Sequence, residues 1–110
     1  MANRPITIQG INPDNSLILS DHGNTTANRS DTITWNIGNN SGVASITSIV
    51  DNSNVDIFNP DPAVQPNSTN WQGTVSPYLQ VPAEENYTIN YTKSSSNEEF
   101  SFDPKISVNP

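Results

Sequence analysis

The chain has 110 residues, 32% of them hydrophobic and 14% charged, and a formal net charge of −7, which bounds it to one domain over 1–110 in which Asn, Ser and Thr replace apolar content. Its four cations, Arg4, Arg29, Lys93 and Lys105, are scattered, whereas phosphate backbones and anionic bilayers are bound by clustered Lys and Arg, so neither nucleic acid nor membrane is expected as a partner. Zero cysteines exclude disulfides, thiolate catalysis and thiolate metal sites.

Ile, Val and Thr run along the whole length, as in a folded β domain and unlike a charge-rich disordered chain. Nine strands are predicted, at 5–9, 16–20, 32–37, 43–50, 54–58, 78–81, 86–92, 98–103 and 105–108. Between them stand residues that tolerate positive φ or cap their own turns: Asn12-Pro13-Asp14-Asn15, His22-Gly23-Asn24, Gly38-Asn39-Asn40-Ser41-Gly42 and Asp51-Asn52-Ser53-Asn54.

In the third strand Ile33, Trp35 and Ile37 alternate with Thr32, Thr34 and Asn36, the period of a half-buried strand. In 43–50 the more apolar set is Ala44, Ile46, Ser48 and Val50, and it is expected to face the core. Tyr87, Ile89 and Tyr91 form an aromatic inner face whose natural partner is Trp35. Pro104 cannot donate to a ladder, which predicts the last strand at a sheet edge. Residues 59–76 are too proline-dense for an interior strand and form the longest irregular stretch. No helix and no internal repeat is expected. The architecture that follows is an all-β, two-sheet antiparallel β-sandwich with Greek-key connections.

The run Ser30-Asp31-Thr32-Ile33-Thr34-Trp35-Asn36 resembles the Gly-Asp-Thr-Val-Thr-Trp element of cupredoxins, and the Trp-bearing strand is similar to that of immunoglobulin-like domains. The likeness implies an immunoglobulin-like or cupredoxin-like sandwich. It does not extend to copper, which in cupredoxins needs two imidazoles and a thiolate, for the chain offers His22, no cysteine and only Met1. Nor is the disulfide beneath an immunoglobulin tryptophan present.

Catalytic constellations are poor. Ser20-Asp21-His22 holds the letters of a hydrolase triad, but neighbouring residues do not converge as nucleophile, base and orienter, and a turn is expected there. Glu84-Glu85 and Glu98-Glu99 point to opposite faces of a strand and read as solvated edges and turns, so no enzyme activity is expected. Sequons at Asn24, Asn28, Asn39, Asn67, Asn86 and Asn90 are what chance produces in so Asn- and Ser-rich a chain.

No cofactor is expected, with calcium the one candidate ion: Asp51, Asn54 and Asp56, with Asp61 downstream, offer hard oxygen ligands, though Asp and Asn also populate plain turns. The recognition candidates are Trp71, flanked by Asn70 and Gln72, and Tyr78. An aromatic in so polar a setting stacks on a sugar ring, anchors a protein partner, or caps one end of the sandwich. The expected function is a non-catalytic binding module for carbohydrate or a protein surface, with a self-assembling structural domain and a calcium-binding domain as the alternatives. A monomer or a closed dimer is expected, since Pro5, Pro104 and Pro110 lie near the termini where they blunt strand edges. The chain reads as soluble, cytoplasmic if complete and extracellular if a signal peptide was removed.

Overall fold

Alternation at Thr32–Ile37 sets the centre of the molecule: Ile33 and Trp35 are fully buried, while Thr32, Thr34 and Asn36 lie on the outer face. The computed structural model describes residues 3–51, 57–59, 61–66, 68–94 and 98–110, and among them there is no helix. The strands in chain order are β1 (Asn3–Ile11), β2 (Leu17–Leu19), β3 (Asn24–Ala27), β4 (Thr32–Ile37), β5 (Val43–Asp51), β6 (Ala63–Val64), β7 (Trp71–Thr74), β8 (Ala83–Lys93), β9 (Glu99–Phe102) and β10 (Lys105–Val108).

They form two packed sheets. One has the order β2-β1-β4-β7-β6 and the other β3-β10-β8-β5, with β9 pairing β8 beyond β10. The sheets are mixed, a correction to the antiparallel expectation: β1 runs parallel to β4, and β10 parallel to β3. The cause is that the chain changes sheets after β2, and again after β3 and β4, so these pairs are not hairpin neighbours.

Between the sheets Trp35, Phe58 and Tyr87 meet edge to face, with ring centroids 5.7, 5.7 and 6.3 Å apart. The Trp35 Nε1–H donates to the Tyr87 hydroxyl at 3.2 Å, which satisfies the polar atoms of both rings inside the core. Burial pushes the Tyr87 phenol well above its ordinary value. Ile6, Ile8, Leu19, Ile89 and Ile106 are among the aliphatic residues buried with them.

Several sequence expectations change here. In β5 the buried residues are Val43, Ile46 and Ile49: of the expected inward set only Ile46 is buried, while Ala44 and Val50 are exposed and Ser48 is half-buried. Its register against β8 shifts between Val43 and Ser45 and again between Ile46 and Ser48. Each bulge adds a residue and inverts the phase of the pleat, turning a period of two into one of three. β10 is interior, flanked by β8 and β3, and β9 takes the outer position on β8 instead. Pro104 sits in the break between β9 and β10 and there accepts the Tyr87 N–H through its carbonyl, so its missing donor costs the ladder nothing.

Residues 78–81 form no strand: a turn at 77–78 is followed by irregular chain, and β3, β6 and β7 arise where none was predicted. The expected turns at 12–15, 22–24 and 38–42 are in place, with positive φ at Asn15, His22, Gly23, Asn40 and Gly42. Of the turn expected at 51–54 only Asp51, the last residue of β5, is described, and most of the strand expected at 54–58 also lies outside the described residues.

Candidate recognition surface

The backbone around β7 places the four expected recognition residues at its two ends. Trp71 opens the strand as the direct partner of Trp35 on β4, and Gln72 is the partner of Thr34. Residues directly opposite share a face, so Trp71 turns inward and Gln72 outward. Trp71 is half-buried and packs against the core, and its Nε1–H is buried with no acceptor among the described residues. Gln72 donates to the Thr34 hydroxyl at 3.4 Å, and that hydroxyl donates to Asn3 Oδ1 at 3.0 Å. The Asn70 side chain accepts the Ile37 N–H at 3.4 Å, tying the entry of β7 to the end of β4.

Tyr78 lies beyond the far end of β7. At about 3.3 Å per residue the strand alone puts Trp71 and Val75 roughly 13 Å apart, so the indole and the phenol do not share one platform. The base of the Tyr78 turn is clamped on both sides. Val75 exchanges backbone hydrogen bonds with Ser30 and Asp31 at 3.0 and 2.8 Å, while Ser76 N donates to Ile57 O at 2.8 Å. Ser76 is itself buried, and its Oγ accepts the Tyr78 N–H at 3.2 Å. Leu79 and Val81 pack against the core, and a cis Val81-Pro82 bond leads the chain into β8. Tyr78 is left 86% exposed, on a turn whose flanks are fixed.

The anchoring residues Ser76, Leu79 and Val81 were not among the sequence candidates. The signal that could have found them is the Ser76-Pro77 pair, a turn initiator, together with Pro82, which also breaks a strand.

The oxygen-rich candidates are spread differently. Asp51 closes β5, Asn54 and Asp56 lie outside the described residues, and Asp61 is exposed in a shallow depression of about 170 Å³ with Ile49, Val50 and Pro62. Among the described residues no three His, Cys, Asp or Glu side chains gather as a metal group.

Asp21 accepts the Gly23 N–H at 3.0 Å and the Thr25 hydroxyl, and the Ser20 hydroxyl accepts the Thr7 N–H, so this run is a turn. Glu84 and Glu85 do point to opposite faces, but Glu85 is not solvated: it is 1% exposed, and its carboxylate accepts the Ile57 N–H at 3.3 Å. It shares the inner face of β8 with Tyr87 and Ile89, where the alternation that buries those residues carries it inward too.

A scan against protein-family models gives no match, and no curated protein matches the sequence.

Proposed function

We infer that this β-sandwich is a non-catalytic recognition module that engages a protein surface through Tyr78. The observation that carries the reading is a phenol 86% exposed on a turn, followed by two apolar residues, Leu79 and Val81, that are partly buried against the core. An aromatic side chain costs little entropy to immobilise and brings a large amphipathic area, which is why Tyr is favoured at protein contacts. With its backbone already clamped, binding would order little more than two side-chain torsions. Trp71, packed inward, serves in this reading as the cap of one end of the core. We take the chain crossings between sheets after β2, β3 and β4 as support for a Greek-key connectivity of the immunoglobulin-like or cupredoxin-like kind.

A second reading, carbohydrate, is favoured by one feature. The outer face of the first sheet carries Asn3, Thr7, Gln9, Thr32, Thr34, Asn36, Gln72 and Thr74, with no charged side chain among them, on a chain of net charge −7. Neutral amides and hydroxyls are the donors and acceptors that sugars use. The face lacks an aromatic ring for stacking, which places the protein reading first.

The test is a displayed peptide library and a glycan array, each probed with the wild type and with Tyr78→Ala. The expected result is peptide ligands that bind the wild type and lose about tenfold or more in affinity on Tyr78→Ala, a hot-spot loss of 1.4 kcal/mol or more. Selected ligands indifferent to the substitution, or glycan signal alone, would overturn it.

A further inference from the structure

The chain leaves β2 and crosses to β3 in the other sheet, and among the described residues the N-terminal half of β1 pairs with no strand on its β2 side. The gap between Asn3–Ile6 of β1 and β3 is a cleft of about 250 Å³. Pockets for drug-sized ligands run from about 300 to 1,000 Å³, so this one suits a molecule with only a handful of heavy atoms.

Its lining carries both signs of charge: Arg4 and Asp21 line it together with Ile6, Asn24, Thr25 and Thr26. The guanidinium is held in place from behind: Arg4 Nε donates to Asp31 Oδ2 at 3.0 Å, and that same oxygen accepts the Asn28 N–H at 2.9 Å. The Asp31 side chain is 3% exposed and the Arg4 side chain 40%, so a buried carboxylate fixes a guanidinium whose outer part is open. The Arg4 Nη donors have no partner among the described residues. A fixed guanidinium with a free edge is a carboxylate receptor, since its fork matches two oxygens at once.

Asp21 is likewise held, by the Gly23 N–H and the Thr25 hydroxyl, one on each carboxylate oxygen, and each oxygen keeps a second lone pair. A plain anion meets attraction at Arg4 and repulsion at Asp21, and a plain cation meets the reverse. A dipolar molecule is attracted at both.

We propose that the cleft between β1 and β3 binds a small zwitterion of the α-amino-acid class, its carboxylate on Arg4 and its ammonium on Asp21. The experiment is a two-dimensional amide NMR titration of the whole chain with L-alanine, with sodium acetate and methylammonium chloride as the single-charge probes. The expected result is saturable shifts at Arg4, Thr25 and Thr26 with L-alanine at about millimolar concentration, the range open to two charged contacts, and at least tenfold weaker response to either half-ligand. Arg4→Lys, which keeps a cation beside Asp31, and Asp21→Asn are each expected to weaken L-alanine about tenfold or more while leaving the spectrum dispersed. If Arg4→Lys does not fold, Asp21→Asn and the three probes decide alone. No saturable shift at these residues, acetate binding as tightly as L-alanine, or affinity unchanged by Asp21→Asn would each overturn the proposal.

Discussion

Trp35 and Trp71 are direct partners across one ladder, yet their indole N–H groups differ: one donates to Tyr87, the other is buried without an acceptor. Phenylalanine should therefore be tolerated unequally. Trp35→Phe removes volume and a satisfied donor and is expected to cost about 1–3 kcal/mol. Trp71→Phe loses packing but also removes a donor whose burial costs roughly 1–3 kcal/mol, so it should stay within about 1 kcal/mol of the wild type. Urea midpoints of the two variants check both values. Tyr87 supplies a pH dependence. Burial raises its pKa above the unfolded value near 10, so above that pH the unfolded chain releases a proton that the native protein keeps. The stability this holds is complete below pH 10 and falls as the pH climbs past it. Tyr87→Phe should flatten that alkaline decline while lowering stability at neutral pH, where Trp35 loses its acceptor; denaturation midpoints from pH 8 to 11 read both effects.

At the scale of single elements, legibility followed periodicity. β4 and β10 were read to their ends because Ile33 and Trp35, and Ile106 and Val108, alternate cleanly. β3 was hidden because its inward residues are Thr25 and Ala27, and β7 because its inward pair is Trp71 and Gly73 in a proline-dense stretch. Gly73 makes for a close approach there: a side-chain carbon at that position would lie 3.2 Å from the Phe58 ring and 3.1 Å from Pro62, so these neighbours would have to give by a few tenths of an ångström. The two bulges of β5 insert residues without any composition signal, so of its expected inner face only Ile46 is buried. The recognition residues were legible as types, since Trp71 and Tyr78 stand out in polar surroundings, but only the fold reveals that one is turned inward and the other outward. Glu85 reads as solvated in the sequence because a buried carboxylate depends on a backbone N–H brought from elsewhere in the chain, here Ile57. Glu85→Ala strips that N–H of its acceptor inside the core and should cost about 1–3 kcal/mol or more, with faster hydrogen exchange at Ile57. Glu85→Gln retains an oxygen acceptor and should recover part of the loss.

For the molecule as a whole, three outer strands of the two sheets are short: β2 has 3 residues, β6 has 2 and β3 has 4. The long outer strand, β5, is bulged twice, which twists its edge away from a second sheet. With a net charge of −7 opposing self-contact, a monomer is expected at micromolar concentration by light scattering, and a defined dimer would show that one of these edges is used. The charge is unevenly laid out. Glu84, Glu99, Asp103 and Lys105 decorate the second sheet, while the outer strand faces of the first are neutral. The rings of Trp35, Phe58 and Tyr87 are used inward for the fold, while the exposed ring of Tyr78 is the one proposed for recognition. The most direct measurement compares thermal midpoint and affinity for one selected peptide ligand across the wild type, Tyr78→Ala and Trp71→Phe. Tyr78→Ala should lower affinity about tenfold or more with a midpoint shift worth no more than about 0.5 kcal/mol, while Trp71→Phe keeps full affinity. A Tyr78→Ala protein that binds as well as the wild type, or one that unfolds, would contradict it.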